Sequence, residues 1–214
     1  MAVPNFDFAA AFYDPLARLV FGRTLLRAQQ AVLRHGLPNT DAGRLLFIGG
    51  GTGQVLPELL TLRPMVQVVY VEASAAMLRR AEQHLRQSAP EQVARVQFVH
   101  GTEADLPPDA RFDAILAFFL FDLFTPTELA ELLHRLQQHA TPKTQWLVAD
   151  FAPPQRPWQR GLQWLMYQFF RRASGVSGRE LPDIAGALQE IGLTRRWRQQ
   201  WASGLVEAAV YSAE

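Results

Sequence analysis

The stretch Leu45-Leu46-Phe47-Ile48-Gly49-Gly50-Gly51-Thr52-Gly53-Gln54 decides how this chain folds. An apolar run leads into four glycines within five positions, and Val55-Leu56-Pro57-Glu58-Leu59-Leu60 follows as the opening of a helix. Strand, glycine loop and helix in that order leave backbone N–H groups bare and let a ligand touch the main chain. Four glycines cost much chain entropy for a plain turn, so the loop reads as a ligand site.

The spacing of the glycines narrows the ligand. A dinucleotide fingerprint needs G-x-G-x-x-G. From Gly49 its third glycine falls on Gln54, from Gly50 its second falls on Thr52, and from Gly51 its third falls on Leu56. What remains is G-x-G-x-G at Gly49, Gly51 and Gly53. Gln67-Val68-Val69-Tyr70-Val71-Glu72 then reads as a second strand ending in an acid, 19 residues after Gly53, which is one strand–helix–strand passage. A carboxylate there can accept hydrogen bonds from both hydroxyls of a ribose, so Glu72 indicates a nucleoside without choosing among cofactors.

The G-x-G-x-G pattern resembles motif I of the class I S-adenosylmethionine (SAM) dependent methyltransferases. Ala73-Ser74-Ala75-Ala76-Met77-Leu78-Arg79-Arg80-Ala81, behind Glu72, is similar to that family's D-x-S-x-x-M-L-x-x-A stretch. Val96 to Pro107, with Gly101-Thr102-Glu103-Ala104-Asp105-Leu106-Pro107 at its end, resembles the segment that touches adenine, and Phe112 to Ala117 resembles the fourth strand. The resemblance covers roughly residues 40–151, and its tone is that of the ubiquinone/menaquinone-type subgroup through Tyr13-Asp14, the glycine loop and Ser74/Met77-Leu78. It departs at Phe47 and Thr102, where the family usually carries acids.

The resemblance implies an α/β fold: a Rossmann-like, doubly wound, mostly parallel seven-stranded sheet closed by a C-terminal antiparallel hairpin. It implies SAM as the cofactor. Gly49, Gly51 and Gly53 would admit its amino-acid part, Glu72 would hold the ribose, and Thr102 and Glu103 would flank adenine; Gly50 and Ala73 would also line the cofactor site, and Met77 would pack near adenine or else simply in the core. Ala117 and Phe118 would close the crevice, and Tyr13 would fold over the cofactor, though a Tyr at a helix end can also simply pack on the surface. Phe119, Asp122, Trp164 and Tyr167 are the candidate acceptor residues. Asp122 is a general base or anchor candidate, with a solvated loop acid as the plain alternative, and Asp150 ends strand five near the same crevice. Two other readings stay open. An aminopropyltransferase of the spermidine synthase kind also has a Gly-Gly-Gly loop, but normally an Asp where Thr52 stands and a pair of acids after strand four. The other is a binding protein of the same fold without catalysis.

Length and composition agree with one domain over 1–214 and a substantial core. A hydrophobic fraction of 49% with 19% charged residues is that of a globular protein. A net charge of +1 makes no case for nucleic acid. The lack of cysteine excludes thiolate catalysis, disulfides and zinc–thiolate sites, and no His or acid pair has metal-ligand spacing. Met1 to Phe8 lacks a signal-peptide pattern, and the apolar run Ala114 to Phe121 is too short for a bilayer, so a cytoplasmic protein is expected. The expected partner is a small-molecule acceptor, and the oligomeric state is left open, a homodimer included.

Along the chain, 1–40 reads as a helical cap, with helices over 5–35 broken near Pro15 and capped by Gly36. The core, 41–151, carries strands at 45–49, 67–72, 95–99, 113–117 and 145–150 and helices at 53–62, 74–88 and 126–139. Thr125, Pro126 and Glu128 form a helix-start signal. Helices at 155–172 and 180–191 make up a covering segment, 152–192. Its run Trp158, Trp164, Leu165, Tyr167 and Phe169 is richer in aromatics than a surface helix needs, which suits a hydrophobic or aromatic acceptor, or else packing on the sheet or a second subunit. Strands at 193–200 and 205–212 end the chain within 193–214. His84, His134 and His139 are expected on helix surfaces, and His100 beside the adenine loop.

Overall fold

The computed structural model describes residues 22–39, 42–154, 156, 157, 159, 161 and 182–213. Seven strands, β1 (Arg44–Ile48), β2 (Gln67–Glu72), β3 (Val96–His100), β4 (Phe112–Phe118), β5 (Ala140–Phe151), β6 (Thr194–Trp201) and β7 (Val206–Ser212), form one sheet. Its order is β3-β2-β1-β4-β5-β7-β6. The first five strands run parallel, and β7 lies antiparallel between β5 and β6. The sheet is thus the mostly parallel, seven-stranded one expected, with the C-terminal hairpin in place.

In β1 and β2 only the first residue is exposed, as in parallel strands covered on both faces. One face, with Leu45, Phe47, Tyr70, Leu116 and Leu147, packs against helices α1 (Thr24–Gly36), α2 (Leu56–Leu62) and α3 (Ala75–Ser88). The other, with Leu46, Ile48, Val71, Ile115 and Trp146, packs against α4 (Pro126–Gln137) and α5 (Ile184–Glu190). Edge strand β6 carries Arg195, Arg196 and Arg198, charges that discourage pairing with another chain. No described helix is long and apolar enough to cross a membrane.

Local signals explain most boundaries. Thr125 and Glu128 form the capping box of α4, with the Thr125 N–H donating to Glu128 Oε2 at 2.9 Å. Ser74 caps α3 by accepting from the Met77 N–H. The helix expected from residue 53 starts at Leu56, because Gly53 takes a left-handed φ of +71°. Strand β5 begins at Ala140 rather than 145: Ala140 pairs with Phe112, and the Thr144 hydroxyl donates to Phe112 O at 2.6 Å. The last helix spans Ile184–Glu190 rather than 180–191, and a 3-10 segment over Pro90–Arg95 was not expected. His139 is not on a helix surface: it is buried after α4, its Nδ1 at 3.0 Å from Ala110 O. Gly36 closes α1, but the need for glycine there is close approach: a Cβ would meet Val210 Cγ2 at 2.6 Å and Leu147 Cγ at 2.8 Å. The helices expected before residue 22 and most of those expected over 155–180 lie outside the described residues.

Phe47 lies at the centre of one core face, its ring 5.1 Å from both Tyr70 and Phe118 in edge-on geometry. Phe47→Ala is expected to lower the free energy of unfolding by about 3–5 kcal/mol in a denaturant titration. Phe47→Asp is expected to be worse, since it buries an unpaired carboxylate among rings. Near-wild-type stability of Phe47→Asp would refute this packing role.

Candidate functional site

The loop between β1 and α2 is built on left-handed glycines: Gly49 and Gly51 at φ +62° and Gly53 at +71°. The Gly49 N–H donates to Val71 O at 2.9 Å, which ties the loop to β2. Tyr70 lies directly beneath. A Cβ on Gly50 would come within 2.3 Å of its ring, and its hydroxyl donates to Gly51 O at 3.1 Å. Around Gly51 the opposite holds: no described residue lies within 4 Å of where a Cβ would stand. Among the described residues the loop is packed from below and open above, a shape that lets a ligand meet the main chain.

Glu72 answers that loop from the end of β2. Its Oε2 accepts the Gly51 N–H at 2.8 Å, and its Oε1 accepts the Ser74 N–H at 2.8 Å. The residue is 6% exposed. Burial pushes the carboxyl above its ordinary value, and the backbone N–H bonds from Ser74, Gly51 and Ala73 oppose that rise. The backbone donors thus occupy most, but not all, of the roughly four lone-pair positions a carboxylate offers.

The next loops converge on the same place. The Gly101 N–H donates to Glu72 O at 3.1 Å, and the His100 ring nitrogen Nε2 lies 3.0 Å from Ala73 O. Thr102 caps the short turn Glu103–Asp105: its N–H donates to Asp105 Oδ2 and its Oγ1 accepts from the Ala104 N–H. Glu103 is engaged elsewhere, its Oε1 accepting from Arg135 Nε on α4 at 2.6 Å. Met77 is buried in the first turn of α3.

At the end of β4, Ala117 and Phe118 are buried in the sheet. Phe119 takes a left-handed φ of +53°, its N–H donating to Ala149 O at 2.7 Å and its ring 5.3 Å from that of Phe151. Leu120 then folds back on the glycine loop, so that a Cβ on Gly49 would meet its Cδ1 at 2.6 Å. Asp122 is not a solvated loop acid: it is 9% exposed and hydrogen-bonded to Asp150, itself 3% exposed at the end of β5.

The structure therefore brings together Gly49, Gly50, Gly51, Gly53, Glu72, Ala73 and Thr102, and places Ala117, Phe118 and Phe119 in the wall behind them. Glu103 is turned towards α4. Tyr13, Trp164 and Tyr167 lie outside the described residues. The sequence reading missed Tyr70, Leu120 and Arg135. Tyr70 alone left a signal, a hydroxyl on the buried face of β2 two positions before the acid.

The cradle lies at the carboxyl ends of β1 and β2, beside the point between β1 and β4 where the strand order reverses. A doubly wound sheet closed by an antiparallel hairpin, with a glycine loop after its first strand and an acid ending its second, defines the class I methyltransferase architecture. Residues 46–145 match a family model described as a methyltransferase domain. Over 201 residues the chain is 28% identical to the ubiquinone/menaquinone biosynthesis C-methyltransferase UbiE of Syntrophotalea carbinolica, covering 88% of this chain and 80% of that relative. Among solved structures, it matches the mitomycin 7-O-methyltransferase MmcR with a TM-score of 0.70 at 20% identity, over 98% of this chain and 61% of that one. It also matches the O-methyltransferase NcsB1 from neocarzinostatin biosynthesis, solved with SAM and 2-hydroxy-5-methyl naphthoic acid. There the TM-score is 0.60 at 17% identity, over 95% of this chain and 61% of that one. The chain thus spans about three-fifths of the length of these two structures. Fold, family-model match and relatives together support a class I SAM-dependent methyltransferase.

Neighbouring glycines separate support from ligand contact. Gly51→Ala is expected to fold with a loss of about 1–2 kcal/mol from the left-handed backbone, while SAM affinity measured by calorimetry falls by about tenfold or more. Gly50→Ala, whose methyl would enter the Tyr70 ring, is expected to show the larger fall in thermal stability. Equal SAM affinity in wild type and Gly51→Ala would remove the ligand from that face.

Proposed function

We propose that this protein transfers the methyl group of SAM to a small hydrophobic or aromatic acceptor. The observation that carries the reading is the Glu72 carboxylate held against the Gly51 N–H, beside a position of the glycine loop that no described residue approaches. Bound there, SAM supplies a methyl carbon activated by a positive sulfur. Gly49, Gly51 and Gly53 would leave the main chain open to its amino-acid part, and Glu72 would fix the ribose. Thr102 would sit beside adenine, with recognition falling to it and to backbone groups, since Glu103 is paired with Arg135.

The chain's task in such a transfer is to hold two partners in line and keep water out. The wall for this is apolar: Phe118, Phe119 and Phe121 are all buried around the end of β4. An apolar acceptor is supported by that wall and by the aromatic run in the covering segment of the sequence. The matched relatives point the same way, one named for ubiquinone and menaquinone biosynthesis and one solved with a naphthoic acid. An aminopropyl acceptor would need open carboxylates for a polycation. Asp122 and Asp150 instead are buried and bonded to each other.

Calorimetry with SAM tests the reading. Wild type is expected to bind, and Glu72→Ala to bind about tenfold or more weakly through loss of a charge-assisted bond worth about 1.5–3 kcal/mol. Because burial raises the Glu72 value and the ribose needs the carboxylate, affinity is expected to fall on acidification, with a midpoint above the ordinary glutamate range. Binding of NADH in place of SAM by the wild type would overturn the proposal.

A further inference from the structure

Asp122 lies in the single turn Phe121–Leu123 that follows β4, and Asp150 is the penultimate residue of β5. Their carboxyl groups are hydrogen-bonded to each other. Asp150 also holds backbone: its Oδ2 accepts the Phe121 N–H at 2.9 Å and its Oδ1 the Phe151 N–H at 2.8 Å. Asp122 Oδ1 is buried with no hydrogen-bond partner among the described residues. So little of either group is exposed that neither is placed to touch an acceptor; what they do reach is the loop. The Phe119 N–H is held by Ala149 O and the Phe121 N–H by Asp150, so Leu120 is fastened on both sides, with its side chain on Gly49. The left-handed Phe119 between the sheet and Leu120 is a strained link that persists only while both anchors hold.

We propose that the hydrogen-bonded Asp122–Asp150 pair is a positioning device for the cofactor site, pinning the loop after β4 so that Leu120 stays closed on Gly49. The inference rests on the assignment of the glycine loop as the SAM site.

Two carboxylates in contact and out of water cannot both ionise at low cost. Burial pushes Asp122 up to about 6. Burial and the adjacent Asp122 charge push Asp150 well above the usual carboxylate range. Between the two ionisations the pair therefore keeps one proton between two oxygens, and that proton is the bond. Among the described residues no cation is paired with it. Glu207, opposite Asp150 on β7, faces the same side of the sheet and is held by Arg195 and Arg198 of β6. Glu128, in the first turn of α4, is bonded to Thr125. Loss of the last proton sets two buried negative charges against each other and pushes the turn away from β5.

The test has two arms, run on the full-length protein from pH 6 to pH 10. Amide hydrogen exchange without cofactor reads the pin itself. Once corrected for base catalysis, protection of the Phe121 amide is expected to fall about tenfold as pH rises in wild type, and to stay level in Asp122→Asn, whose amide donates to ionised Asp150 and sets no second charge against it. Calorimetry with SAM reads the coupling. The ratio of wild-type to Asp122→Asn affinity is expected to fall about tenfold over the same range, whereas a merely structural pair would leave that ratio constant. Asp150→Asn, which loses one of its two backbone bonds, is expected to expose the Phe121 amide at every pH. Parallel pH profiles for wild type and Asp122→Asn in the exchange arm overturn the pin. Absence of SAM binding at any pH with a normal exchange result overturns the cofactor assignment instead.

Discussion

A buried carboxylate bonded to backbone N–H groups of two loops holds this site together. Glu72 ends β2, and its side chain reaches sideways to Gly51 on one loop and forward to Ser74 on the next. Removing a carboxylate from water is costly unless donors replace the water. Here the donors come from the segments the carboxylate must position, so satisfying the charge and shaping the loop are one event. The left-handed backbone of Gly51 follows, with φ at +62° where its N–H meets Glu72. A side chain in that conformation would be strained wherever it pointed. Ser74, held from the same carboxylate, is in turn the cap that starts α3.

The support beneath is set by strand alternation. Residues two apart on a strand share a face, so Tyr70 stands under the loop that Glu72 grips, and its hydroxyl binds Gly51 O. This accounts for the departure at Phe47. In the resembling family an acid at that position braces the glycine loop. Here the position is core, with Phe47 enclosed by Tyr70 and Phe118, and the polar brace comes from the neighbouring strand. Thr102 is a comparable case. Its hydroxyl and N–H close a capping box with Asp105, and the acid beside it, Glu103, reaches to Arg135 on α4. The two acids absent from the motif thus leave a loop whose shape is held by other bonds.

Much of this was legible because it is local. Glycine spacing gave the loop, the 19-residue interval gave the acid, and Thr125-Pro126 with Glu128 gave a helix start, since each signal lies within one strand–helix passage. What escaped depends on contacts between segments far apart in the chain. Leu120 meets Gly49 across the sheet, Arg135 meets Glu103 from a later helix, and His139 is buried through Ala110. Asp122 shows the limit best. Among five phenylalanines and leucines it reads as an exposed loop acid, because a single carboxylate has no reason to be buried. Its partner lies 28 residues on, at the end of β5, and only the pair explains the burial.

The two acid centres flanking the glycine loop make opposite demands on the proton. Glu72 serves as an acceptor, so it must be ionised, and its backbone donors favour that state against burial. Asp122 and Asp150 pair with no cation among the described residues, so a proton between them is what holds them together. The first centre fails on acidification and the second on alkalinisation. In both cases the folded-state values lie above those of the unfolded chain, so the folded protein binds protons more tightly and loses stability as pH rises through those values. Stability and cofactor binding therefore diverge on the acid side: protonating Glu72 relieves a buried charge but removes an acceptor. On the alkaline side they fall together, since two bare carboxylates weaken both the sheet end and the loop that rests on it.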